Sequence, residues 1–176
     1  ELEIFPTEDY GLGFDGSYAN DSTAVCAVTI PQNGEKPKVK LIAVWEKELG
    51  VDDDSWRVKI DEVKETIIDY VQRFPQCREI ACDPYRWASM MQELQELDYP
   101  IVEYKTNLLS LMIPATQKVF EAVTDKKFEH DGNVILSRHI DNCVIKADHK
   151  GQRVTKESGS SRKKIDAAIA FIIASD

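Results

Sequence analysis

The chain has 176 residues and a mass of 20.0 kDa, the size of one ordinary domain able to close a hydrophobic core. Hydrophobic residues make up 43% and charged residues 30%, which excludes a disordered chain, and the longest uncharged apolar run, Ala167 to Ser175, is about half of the roughly 20 residues a membrane span needs. The formal charge of −9 excludes binding to nucleic acid by overall attraction, so any contact with DNA has to be local.

The chain starts at Glu1 with nothing resembling a signal peptide, which is the expectation for an excised fragment. Cys26, Cys77, Cys82 and Cys143 contain no CxxC pair, and His130, His139 and His149 add no zinc-ligand spacing. Reduced, mostly buried thiols in an intracellular setting are expected.

Tyr10 to Phe14, Thr23 to Ile30 and Val39 to Glu46 read as strands joined by turn-forming segments, which predicts antiparallel hairpins in the opening third. Asp53 or Asp54 is a candidate cap for a helix carrying Trp56, Ile60, Val63, Ile67, Ile68 and Val71 at helical spacing, stopped at Phe74-Pro75. Arg78 to Cys82 is a short strand broken at Asp83-Pro84, and Trp87, Met90, Met91, Leu94 and Leu97 then recur helically. Pro100 to Tyr104 gives another strand, and Leu108 to Val123 another helix. Phe128 to Asn133 reads as a polar turn, Val134 to Ile145 has mixed signals compatible with either element type, and Gly151 to Ser161 reads as a flexible loop. Ile165 to Ala174 is apolar nearly all round and predicts a buried helix. Hairpin strands followed by alternating helices and strands predict an α/β fold: a mixed sheet flanked by helices.

Three aspartates stand where chemistry is possible. Asp15 ends an apolar strand before Gly16, although Asp-Gly is also a favoured turn dipeptide. Asp83 ends the Ile80-Ala81-Cys82 strand, where α/β sheets gather ligands, and equally suits an N-cap of the next helix. Asp166 lies in the first turn of the buried helix, so its charge needs a partner: Lys163 or Lys164 as an ion pair, or a cation shared with Asp15 and Asp83. If the three converge away from cysteine and histidine, the donor set favours Mg²⁺ or Mn²⁺ over zinc, and two such ions suit phosphodiester hydrolysis. Lys150, Arg153, Lys156, Arg162, Lys163 and Lys164 form a basic segment leading into Asp166 and are candidate phosphate contacts. Lys164, two residues before Asp166, is the foremost candidate for a catalytic cation. Asp148 is a further candidate ligand, with a surface-turn aspartate as the simpler alternative. Tyr85, Trp87 and Tyr104 read as core rather than as base-stacking groups.

Phe14-Asp15-Gly16-Ser17 with Asp21-Ser22-Thr23-Ala24, Cys82-Asp83-Pro84-Tyr85-Arg86, His130-Asp131-Gly132-Asn133, Asn142-Cys143-Val144 and Lys164-Ile165-Asp166-Ala167 together resemble, in order and spacing, the nuclease domain of tailed-phage terminase large subunits. The resemblance implies a ribonuclease H-like fold, with three N-terminal antiparallel strands followed by parallel ones and helices on both faces. It also implies that Asp15, Asp83 and Asp166 match the family's metal-binding triad. The implied task is metal-dependent cleavage of concatemeric double-stranded viral DNA during genome packaging in the host bacterial cytoplasm. Implied partners are an ATPase motor domain in the same full-length chain, the small terminase subunit and the portal protein, with no membrane. No GxxxxGK[ST] loop occurs, so residues 1–176 are expected to form a single nuclease domain without the motor. Thr106-Asn107 departs from the glutamine-glycine pair that many relatives carry. Alternatives from the residues alone are another ribonuclease H-like nuclease, such as a Holliday-junction resolvase or a transposase-like domain, and a non-catalytic packaging-assembly module.

Overall fold

The computed structural model describes residues 2–16, 22–32, 34–47, 56–158 and 161–176, except the side chain of Asp148. Three strands open the chain, β1 (Tyr10–Gly16), β2 (Thr23–Thr29) and β3 (Lys38–Trp45), each antiparallel to the next. Helix α1 (Ile60–Arg73), strand β4 (Cys77–Cys82), helix α2 (Ala88–Glu96) and strand β5 (Ile101–Glu103) follow. Helix α3 (Leu109–Thr124), the short strand β6 (Glu129–His130) and helix α4 (Val134–Asp141) lead to a hairpin of β7 (Val144–Asp148) and β8 (Gly151–Thr155), and α5 (Asp166–Ala174) closes the chain. The main sheet has the order β5-β4-β1-β2-β3-β6; β4 runs parallel to β1, β5 to β4 and β6 to β3.

Both faces of this sheet are covered, which is why β2 is buried along its whole length. Alternation sorts the side chains. Tyr10, Leu12 and Phe14 of β1 face the core made with α1 and α2, where Val63, Ile67, Met90 and Leu94 are buried. Ala24, Cys26 and Val28 of β2 face the opposite core, made with α3, α4 and α5.

Helix α5 lies unusually close to β1 because β1 has glycines where the two meet. A Cβ on Gly13 would stand 2.0 Å from the Ala170 carbonyl oxygen and 2.6 Å from the Ala174 nitrogen. Eight of the nine α5 residues are buried, as their all-round apolarity requires.

Several expectations change. Asp15 and Gly16 do not form the turn; they extend β1, paired with Ala24 and Thr23. The helix after β3 begins at Ile60, not near Trp56: Lys59 is extended at φ −87° and ψ 107°, and Val58 is buried as part of the approach. The proposed caps Asp53 and Asp54 lie outside the described residues. The ambiguous Val134 to Ile145 stretch divides into α4 and the start of β7; Asn133 caps α4, accepting from the Ile135 and Leu136 amides. The predicted loop after Gly151 begins as β8, since Gln152 to Thr155 pair with Val144 to Ala147 across a two-residue His149-Lys150 turn. Gly151, at φ 136°, supplies the backbone geometry that turn needs, and it packs on Ile113 of α3.

Candidate functional site

Strand register places the first two aspartates together. Phe14 on β1 pairs with Cys82 on the parallel neighbour β4, so Asp15 and Asp83 follow on the next rung of adjacent strands, about 5 Å apart at the backbone. Parity then aims them. Gly11 and Gly13 lie under α5, and Asp15 continues that side of β1; Ala81 belongs to the same core, and Asp83 continues its side of β4.

Helix α5 brings the third. Ala174 lies over Gly11 and Gly13 and Ala170 over Gly13, so α5 runs antiparallel to β1. One turn before Ala170, Asp166 comes level with the Asp15 end of the strand. Asp166 is 6% exposed, and its Oδ2 accepts a hydrogen bond from the fully buried Ser22 hydroxyl. Its carboxylate sits in the first turn, where the helix dipole favours negative charge. Lys163 is paired with Glu157 at 3.2 Å. Burial, then the Asp166 charge, pushes the nearby Cys143 thiol up to about 12.

Asp83 is not the cap of α2, whose N-cap Trp87 has no side-chain bond. Its Oδ1 accepts from the Tyr85 amide at 2.8 Å, and its Oδ2 accepts from the Thr106 amide at 2.8 Å and from the Thr106 hydroxyl. Thr106 therefore fixes the orientation of Asp83.

A cleft opens beside these carboxylates, lined by Asp15, Thr106, Arg153, Lys156, Met112 and Ile165. The hairpin forms one wall. Among the described residues, Arg153 Nε is buried without a hydrogen-bond partner, which leaves a donor in the cleft wall for an anion. The structure thus divides the basic segment. Arg153 and Lys156 line the cleft, Lys164 is half-buried with its carbonyl held by Asn142, and Lys150 and Arg162 are exposed. Asp148 ends β7 opposite Gly151 at the hairpin tip, four residue pairs along from Val144 and Thr155. Trp87 and Tyr104 are core residues as expected, but Tyr85 is 70% exposed, with Arg86 over its ring.

Among the described residues the three carboxylates are backed by the hydroxyls of Ser22 and Thr106, oxygen chemistry of the kind a hard divalent cation prefers. Among the described residues no three acidic, histidine or cysteine side chains are grouped closely enough to hold one ion, and Asp83 and Asp166 are bonded to Thr106 and Ser22. Sequence reasoning missed both hydroxyl partners, because Ser22 lies 144 residues from Asp166 and Thr106 lies 23 from Asp83, with no local pattern to join them.

The family model for the endonuclease domain of the terminase large subunit matches residues 30–175. The chain belongs to that family. Over 99% of its length it superposes on the HK97 bacteriophage large terminase with a TM-score of 0.78 at 18% identity, spanning 40% of that protein. It covers 84% of the large terminase nuclease from thermophilic phage G20c, with a TM-score of 0.70 at 11% identity over 98% of this chain. The same G20c nuclease with bound magnesium gives 0.71 at 10% identity, again over 98% of this chain and 84% of that one. These likenesses establish a shared fold, the ribonuclease H-like mixed sheet with helices on both faces. No curated protein sequence matches. Among the described residues no helix is long and apolar enough to cross a membrane, and the four cysteines are unpaired thiols, with Cys26 and Cys82 buried.

Proposed function

We propose that this domain is a divalent-metal-dependent endonuclease that cuts concatemeric double-stranded viral DNA during genome packaging. One observation carries the reading: Asp15 and Asp83 leave adjacent parallel strands on the face that also receives Asp166. The G20c nuclease was solved with bound magnesium and with bound cobalt, which supports a cation role for the carboxylates here.

Asp15, Asp83 and Asp166 would hold the cations, two Mg²⁺ or Mn²⁺ ions. Bound there, they supply Lewis-acid stabilisation of the charge that develops on a phosphodiester during hydrolysis. The protein contributes the rest. Thr106 and Ser22 hold Asp83 and Asp166 in defined orientations, and the apolar floor of Met112 and Ile165 strengthens each electrostatic contact above it. Arg153 and Lys156 hold a backbone phosphate across the cleft, and Lys164 supplies a further cation beside Asp166. Lys150, Arg162 and Lys163 extend the basic approach outside it.

With a net charge of −9, the domain holds DNA locally and weakly and works with a partner that presents the duplex. We take residues 1–176 as one nuclease domain and that partner as an ATPase domain of the same full-length protein. A further large terminase from a thermophilic bacteriophage, of which the chain spans 41%, was solved in complex with ATP-gamma-S, in keeping with this. The small terminase subunit, the portal protein and the host bacterial cytoplasm complete the proposed setting.

Incubating supercoiled plasmid with the domain and Mn²⁺ tests the reading. Nicking and linearisation that disappear in Asp83→Ala are expected. Cleavage confined to four-way junctions would assign a resolvase activity instead, and undiminished cleavage by Asp83→Ala would remove the proposed centre.

A further inference from the structure

Helix α5 begins without a conventional cap. Ile165 at the cap position offers no side-chain acceptor, and its carbonyl takes the Ala168 and Ile169 amides at 2.9 and 3.0 Å, so the Ala167 amide turns elsewhere. The need is met from another element. The Ala167 amide, next to Asp166, donates to Nδ1 of His139 at 2.9 Å, and His139 is completely buried on α4. Because Nδ1 accepts, the ring proton sits on Nε2, which faces Glu46 Oε2 at 3.4 Å; Glu46 in turn pairs with Arg138.

The same end of α4 holds the chain on the other side of Asp166. Asn142, the C-cap of α4, donates from Nδ2 to the Lys164 carbonyl at 2.9 Å. Cys143, next to Asn142, donates to the His139 carbonyl at 3.2 Å. An acceptor on α4 and a donor at its C-cap, three residues apart, therefore grip the backbone at Ala167 and at Lys164, with Asp166 between them.

We infer that His139 and Asn142 are positioning residues that set the direction of the Asp166 carboxylate through the backbone on either side of it. This rests on the metal-centre reading of Asp166. A burial role alone would ask only for shape at position 139; an orienting role asks for an acceptor aimed at the Ala167 amide. Groups that orient a ligand from behind govern metal affinity by roughly 10- to 100-fold.

The test compares His139→Ala, His139→Asn and Asn142→Ala with wild type and Asp166→Asn, reading Mn²⁺ binding by calorimetry and Ala167 amide exchange by NMR. Asparagine restores an acceptor near the Nδ1 position but not the ring, so it separates the hydrogen bond from the packing. Expected results are Mn²⁺ affinity about tenfold weaker and Ala167 exchange at least about tenfold faster in His139→Ala. His139→Asn should recover to within about threefold of wild type, and Asn142→Ala should also lose affinity. Wild-type affinity in His139→Ala, or equal defects in His139→Asn and His139→Ala, would overturn the inference. If His139→Ala does not fold, His139→Asn and Asn142→Ala decide it: wild-type affinity in Asn142→Ala, or lost affinity in His139→Asn, overturns the clamp. Equal Mn²⁺ binding by wild type and Asp166→Asn would instead remove the metal-centre reading, and the inference with it, whatever the Ala167 exchange rates.

Discussion

Asp15 stands one residue beyond Phe14 and Asp83 one residue beyond Cys82, and Phe14 and Cys82 are partners across the parallel β1–β4 pair. Two carboxylates at one rung repel each other unless something positive lies between them. Asp15→Asn and Asp83→Asn should each lower Mn²⁺-dependent plasmid cleavage by about 100-fold or more. Full cleavage by either variant would be incompatible with the proposed centre.

Gly13 controls how closely α5 approaches the sheet. Gly13→Ala puts a methyl group into the Ala170 carbonyl and the Ala174 backbone, neither of which can swing aside, so α5 has to move. The expected cost is about 3 kcal/mol, at the upper end for overpacking, measured by urea unfolding. Cleavage should fall as well, because the displaced helix carries Asp166. Unchanged stability would mean that α5 is not packed as described.

Arg153 separates function from stability by sign. Its Nε is buried with no partner among the described residues, so Arg153→Leu removes an unsatisfied donor and should leave stability unchanged or raise it by about 1 kcal/mol. The same variant should weaken DNA binding at low salt and reduce the slope of log affinity against log salt by about one. An unaltered slope would exclude a phosphate contact at this position.

Alkaline pH should destabilise the fold through its thiols. Burial pushes the Cys77 thiol up to about 11, and burial likewise raises Cys26, so the folded chain keeps protons that the unfolded chain releases near pH 8.5. A raised folded-state value gives stability that is complete below the unfolded value and is lost as pH climbs. The urea midpoint, measured with reductant, should therefore fall between about pH 9 and pH 11, and Cys77→Ala should flatten that decline. A midpoint that rises over this interval would contradict the assignment.

Local periodicity announced much of the framework. The β1 to β3 strands, the apolar α5 and the strand-to-helix break at Asp83-Pro84 depend on neighbouring residues, and the structure has them within a few positions of where the pattern puts them. The β7–β8 hairpin escaped because its strands carry Lys146, Gln152 and Arg153, whose polarity imitates a loop, while the pairing that orders them joins residues of no distinctive pattern. Asp-Gly at 15 and 16 misled in the opposite direction. Turn propensity is weak, and the pairing with Ala24 and Thr23 outweighs it.

Sequence alone singled out three candidate carboxylates and the chain elements that deliver them, since an acidic residue ending an apolar strand or opening a buried helix is a local contradiction that can be read in place. Only the tertiary structure decided that Asp15 and Asp83 share a rung, that Gly13 admits α5 beside them, and that Ser22, Thr106 and His139 stand behind the acids. The physical reason is range: propensity acts over a few residues, whereas a hydrogen bond from Ser22 to Asp166 exists only once the sheet has brought together positions 144 residues apart.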